Sequence, residues 1–240
     1  MRNAHQHACA VSRSLCLVPD RLPLFPLGLV LLPGLLLPLH VFEERYRVLV
    51  RELLELPEQQ RRFGVVAIRQ GREVGADGVT ALHEVGCVAQ LRQVERHDDG
   101  RFDLLTVGAT RFRLAGLEDS GPYLSGRVEW LPDELGPGVE APLLDRAVRA
   151  AFLDYLTALA EAGGNHVEAP DLPDDSLVLG YVVAATVVVD LEVRQALLAE
   201  PDGTARLRAE LRLLRREATL LRALTATPSP DLTRAPYSLN

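Results

Sequence analysis

The sequence predicts an α+β protein, a β-rich N-terminal half carrying one inserted helix followed by a C-terminal helical bundle. Three observations carry this. Before position 132, short segments alternate apolar and polar residues at period 2, with glycines between them. After position 142 the apolar spacing lengthens to that of a helix face. Between the two, the stretch from Pro132 to Pro142 has no periodicity and is dense in turn formers, which marks a linker over 133–142. The expected organisation is a disordered extension over 1–20, a β-rich unit over 21–132, the linker, a helical unit over 143–224 and a disordered tail over 225–240.

Taken in order, the first eighteen residues hold Arg2, His5, His7 and Arg13 with no acidic residue. Arg13 and Ser14 interrupt any apolar signal core, so a floppy extension is expected rather than a targeting signal. The apolar run Leu27 to Phe42 contains Pro33, Gly34 and Pro38 and falls short of the roughly 20 residues a membrane span needs. Phe42, Tyr46, Leu49 and Leu53 then recur at helical spacing, with Glu43, Glu44, Arg47 and Arg51 between them, which predicts the inserted helix. Glutamates near its start and arginines further along suit the helix dipole.

Strands follow, with Val85, Cys87, Ala89 and Leu91 on one face, then Phe112 with Leu114, then Leu124, Val128 and Trp130. Asp99-Gly100, flanked by apolar segments, signals a hairpin, because both residues tolerate positive φ. Gly71, Gly75, Gly78 and Gly116 punctuate the remaining runs.

Past the linker, Leu144, Val148, Ala151, Phe152, Tyr155 and Leu159 form one apolar stripe and Leu207, Leu211, Leu214, Ala218 and Leu221 another. Leu177 to Val189 is apolar all round and valine-rich, a pattern shared by buried helices and buried strands; its helical neighbours favour helix. It too is short for a span and ends at Asp190. From Thr225 onward, Pro228, Pro230 and Pro236 predict the tail.

Composition narrows the function. With 48% hydrophobic and 25% charged residues, the chain is an ordinary globular sequence able to bury a core without staples. A net charge of -7 disfavours phosphate backbones and anionic lipid surfaces, so neither nucleic acid nor membrane is an expected partner. Every basic residue is arginine and none is lysine. Lysine-dependent catalysis, a Walker A loop and a serine-lysine dyad are thereby excluded, and G-x-S-x-G does not occur. Cys9, Cys16 and Cys87 form no C-x-x-C pair, and their odd number fits a reducing cytoplasm better than a disulfide framework.

The nearest approach to a metal motif is His83-Glu84 followed by Cys87. Read as a strand, this segment puts His83 and Cys87 on the Val85 face and Glu84 on the other, and a partly buried histidine is expected instead of a zinc ligand. His5 and His7 sit on a segment without fixed geometry. Asp171, Asp174 and Asp175 lie in a proline-punctuated loop and read as a solvated acidic linker. No catalytic residue, cofactor or metal site is expected.

The run from Leu22 to Val50 holds a Pro-Leu-rich strand, a Pro33-Gly34 turn, a second strand ending Pro38-Leu39-His40-Val41-Phe42, and Glu43-Glu44-Arg45-Tyr46 opening a helix. It resembles the opening of the Lon substrate-binding domain family. Phe63–Ile68, Val85–Ala89, Val107–Leu114, Pro122-Tyr123 and Val128-Glu129 look like that family's successive strands. Asp190–Glu200 and Arg206-Leu207 resemble its Gln-x-Leu-Leu and Arg-Leu helices. The resemblance covers about Leu22 to Arg222. It implies a PUA-like pseudo-barrel followed by a helical bundle, and a recognition module without the ATPase and protease domains of full-length Lon. The implied partners are unfolded or tagged polypeptides, or a protease or other partner protein.

The residues themselves offer a candidate surface. Apolar runs flank the Pro33-Gly34 turn on both sides, whereas alternation buries one face only, so some of Leu29, Leu31, Leu32, Leu35 and Leu36 are either exposed as a sticky patch or covered by the helical half. Phe42, Glu43, Arg45 and Tyr46 are expected to anchor the helix, and Arg111-Phe112 to be a solvated guanidinium beside a core aromatic. Two other classes remain open. A nucleic-acid binder would need Arg92, Arg96, Arg101, Arg111 and Arg113 on one stripe. A hydrolase would need a buried Ser or Cys in reach of His40, His83 or His166.

Overall fold

Seven strands and five α-helices occur among the residues described by the computed structural model, which are 20–71, 79–118, 121–137, 139–163 and 171–226. The expected disordered ends, apart from Asp20, Thr225 and Ala226, lie outside these residues, as do Gly75, Gly78 and His166. The strands are β1 (Asp20–Leu27), β2 (Leu36–Val41), β3 (Arg62–Gly71), β4 (Val79–Leu82), β5 (Val85–Arg96), β6 (Phe102–Glu118) and β7 (Ser125–Leu131). Helix α1 (Glu44–Glu55) interrupts them; α2 (Ala141–Gly163), α3 (Ser176–Thr186), α4 (Leu191–Ala199) and α5 (Gly203–Ala226) follow.

Five strands close on themselves in the order β1-β7-β6-β5-β3, and β1 then pairs with β3 in parallel. The other neighbours in the ring are antiparallel. Leu22, Leu24, Val66, Val88, Phe112 and Val128 form one buried cluster, to which all five ring strands contribute, so it is the filling of the barrel. β2 and β4 hang on the outside, paired to β6 and β3 respectively. The Asp99-Gly100 hairpin forms as predicted, with Gly100 at φ +82 between β5 and β6.

Helix α1 caps a second core. Its Tyr46, Leu49, Val50 and Leu53 are buried, and Tyr46 stacks on Phe25 with ring centroids 3.9 Å apart. Phe42, expected on that face, is not on the helix: Glu43 is the N-cap, its carbonyl accepting from Tyr46 and Arg47, and Phe42 stands 50% exposed.

The helical half is built on α2 and α5, which run in the same direction. Glu140 meets Arg208 and Asp154 meets Arg222, each at 2.6 Å, pairs that lie 14 residues apart along both helices. Short α3 and α4 return the chain between them. The ambiguous apolar run is helical as far as Thr186, and Val187 to Val189 form a connection. Asp175, read from sequence as part of a solvated linker, is the N-cap of α3, accepting from the Leu177 and Val178 amides; Asp190 does the same for α4 through Val193.

The linker is pinned rather than free. The Glu134 and Leu135 carbonyls accept from Gly203 and Thr204 at the start of α5, and α2 begins at Ala141, inside the predicted linker. Asp133 accepts from the Tyr181 hydroxyl at 2.5 Å and pairs with Arg111 at 3.3 Å and Arg206 at 3.8 Å.

Arg111 corrects a second expectation. Instead of being solvated it is wholly buried, and its Nη1 donates to the Leu198 and Glu200 carbonyls at 2.8 and 2.6 Å. A carbonyl pair left open at the end of α4 explains why a barrel strand carries a cation inward. Gln195 works in the opposite direction, donating from α4 to the Val85 carbonyl at 2.8 Å. These contacts lock barrel and helices together.

Candidate functional site

The connection from β1 to β2 is irregular over 28–35 and turns at Pro33-Gly34, with Gly34 at φ +82 and Leu35 N–H donating to the Leu32 carbonyl. It lies against β6 at Gly108: Gly34 donates to the Gly108 carbonyl at 2.9 Å and Gly108 to that of Leu35 at 2.8 Å. A Cβ on residue 108 would run into the Leu32 carbonyl, so glycine is required for this approach.

The five candidate leucines divide. Leu32 is fully buried in the core of the helical half, Leu31 lies in the core beneath α1, and Leu35 packs between both. Leu29 is 37% and Leu36 65% exposed. The connection is therefore the joint of two cores, and only two of its leucines face outward.

Beside the outward ones lies a groove of about 230 Å³, floored by Phe25, Leu27, Leu39 and Tyr46 and rimmed by Leu29, His40 and Phe42. Strand β2 forms one wall. Among the described residues it pairs with β6 alone, and Leu36, Pro38 and His40 form its exposed face. Glu43 and Arg45 pair at 3.0 Å at the groove's end, and the Arg45 guanidinium lies over the Tyr46 ring. The sequence reading missed Phe42 as a surface residue. The signal was present in Glu43-Glu44, since acidic residues gather in a helix's first turn and thus place its start after Phe42.

A larger depression of about 900 Å³ lies between α1 and strands β5 and β6. Two of its polar side chains are engaged with backbone: Gln90 donates to the Glu58 and Arg61 carbonyls, and Arg61 to those of Leu56 and Leu54.

Several residues weighed for other chemistries stand elsewhere than expected, while His166 lies outside the described residues. Cys87 is buried, its thiol pushed up to about 12 by desolvation, and it faces the Val88 and Ala109 carbonyls rather than a histidine. His83 is not on the strand of Cys87; it sits in the connection between β4 and β5, 3.4 Å from Glu192. Burial of Arg111 breaks the proposed basic stripe. No helix among the described residues is long and apolar enough to cross a membrane.

Apolar area around a groove, beside an open strand edge, is the chemistry of recognition surfaces. The chain belongs to the family of the substrate-binding domain of ATP-dependent protease La (LON), whose model matches residues 21–216. The match is to that domain and not to the enzyme's catalytic part. Over 210 residues the chain is 29% identical to Lon protease 2 of Myxococcus xanthus, covering 85% of this chain and 24% of that protein. With Lon protease of Escherichia coli K12 it shares 26% identity, covering 83% and 25%. The chain thus spans about a quarter of the length of these relatives. Among solved structures, a Lon N-terminal domain protein from Xanthomonas campestris superposes with a TM-score of 0.56 at 29% identity, covering 82% of this chain and 98% of that one. The N-terminal domain of Mycobacterium avium complex Lon protease has the same fold at 14% identity, with a TM-score of 0.55 and coverage of 83% and 98%.

Proposed function

We propose that this protein is a non-catalytic polypeptide-binding module that receives apolar stretches of unfolded or tagged proteins in the groove between β1 and β2. The observation that carries the reading is the exposure of Leu29 and Phe42 on the rim of that groove. Membership of the LON substrate-binding family supports it. On this reading the five-strand ring is a PUA-like barrel, backed by the helices as a bundle, and the protein works in the cytoplasm, where the Cys87 thiol stays reduced. A bound segment lies along β2, adding hydrogen bonds at its open edge while apolar side chains enter the groove. The net charge of -7 favours neutral or basic segments.

The test is a fluorescence titration against a labelled, permanently unfolded polypeptide and its native form, at low and high salt. Leu29→Glu and Phe42→Glu are the variants of choice, because both side chains already meet solvent and the fold survives. Saturable, salt-tolerant binding to the unfolded form is expected, weakened about 30-fold by Phe42→Glu, as befits an aromatic anchor worth about 2 kcal/mol. Absence of binding to either form, or binding indifferent to both variants, sinks the reading and leaves docking of a dedicated partner protein.

A further inference from the structure

At the end of β2 three side chains from separate stretches of sequence meet. Register places His40 directly opposite Asp103 on β6 and Asp103 opposite Glu95 on β5, so the three form one row across the sheet. His97, one residue beyond β5, completes the cluster. His40 Nδ1 lies 2.5 Å from one carboxylate oxygen of Asp103 and His97 Nε2 lies 2.7 Å from the other. Hydrogen bonds from His40 and His97 hold the Asp103 carboxyl below its usual range, keeping it ionised.

We propose that His40, His97 and Asp103 bind a divalent transition-metal ion of the zinc class, with solvent completing the coordination. One ligand atom from each residue lies within 4.8 Å of the other two. Around a tetrahedral zinc with bonds of about 2.0–2.2 Å, ligand atoms stand roughly 3.4 Å apart, so entry of the ion needs only small side-chain adjustments. Two imidazoles and one carboxylate suit zinc, nickel or copper better than calcium or magnesium, which prefer oxygen throughout.

The scaffold is firm. The His97 amide donates to the Arg101 carbonyl, the Gly100 amide to that of His97, and Arg47 of α1 clamps the hairpin through the Gly100 carbonyl at 2.7 Å. One cation opposes the ion: Arg101 Nη1 stands 3.4 Å from His40 Nε2, while its Nε is tied to Asp99 at 2.6 Å. Because the imidazole atoms facing Asp103 must give up any proton they carry, uptake releases protons and weakens in acid. Since His40 also rims the groove, an ion here would fix one wall of it.

Zinc chloride is titrated against a chromophoric chelator at pH 7.5, using the full chain in a background carrying His5→Ala, His7→Ala, Cys9→Ser and Cys16→Ser, which removes the other candidate ligands near its start. One equivalent is expected to bind, at least tenfold more weakly in His40→Ala, His97→Ala or Asp103→Asn and more weakly at pH 5.5. Zinc should raise the melting temperature of the background protein but not of these variants, each of which alters a partly exposed side chain. No uptake of zinc, or uptake unchanged by all three substitutions, overturns the proposal.

Discussion

Arg111 occupies a position where hydrophobic residues usually stand, and its surroundings explain its tenure. Its guanidinium reaches the carbonyls of Leu198 and Glu200 and the carboxylate of Asp133, so barrel, α4 and the segment after β7 converge on one side chain. Methionine fills similar space but donates nothing. Arg111→Met should therefore cost about 1–3 kcal/mol, read as a lower urea midpoint, because the Leu198 and Glu200 carbonyls are left without their donor, while Asp133 keeps Tyr181 and Arg206. Sequence pattern could not find this residue. Arg111 and Arg113 look alike along a strand, and only the arrival of the end of α4, 87 residues later, separates them. Phe112 between them was legible as core, since its aromatic ring has no other use on a barrel strand.

Among the elements, the connection between β1 and β2 shows how a backbone requirement governs a surface. Gly108 on β6 lets the Leu32 carbonyl approach, and that approach sends Leu31 and Leu32 inward while leaving Leu29 and Leu36 outside. Gly108→Ala should cost about 1–3 kcal/mol in urea unfolding, because the added methyl meets backbone and not a movable side chain. The same variant should weaken binding of unfolded polypeptide, since the floor and rim of the groove shift together. Helices α2 and α5 were readable from their stripes, as was the hairpin from Asp99-Gly100. The helix α1 was readable too, but its start was set two residues early on the strength of Phe42, whose hydrophobicity matched the stripe although Glu43 caps the helix after it. The cluster of His40, His97 and Asp103 left no motif at all, because its members are brought together by strand register and not by spacing.

For the molecule as a whole, polar groups that are costly to bury lie inside the helical half as well as between the halves, and one inside the helical half gives stability a dependence on pH. Glu210 of α5 is fully buried near Arg206, and desolvation raises its carboxyl well above the ordinary value of 4.5. The folded protein therefore holds a proton that the unfolded chain releases, so the stabilising contribution is complete below pH 4.5 and is lost as pH rises through the raised folded value. Glu210→Gln cannot ionise and should be more stable than the parent at pH 8, with the gap in melting temperature closing as pH falls toward 4.5. Arg206 keeps the Leu197 carbonyl and the Tyr181 ring in the variant. At this scale the α+β division was legible from the change in period near residue 132. Closure of the ring was expected only through the family resemblance and not from the residue pattern, because the parallel pairing of β1 with β3 leaves no local trace.

That closure has a consequence for how the chain is made. Strand β1 finds one neighbour in β3, but its other neighbour, β7, ends 104 residues after β1 does. At roughly 5–20 residues per second of translation, the free edge of β1 waits about 5–20 s beside the ribosome for its partner. During that interval the nascent protein exposes the kind of apolar, unpaired strand that its own groove is suited to receive.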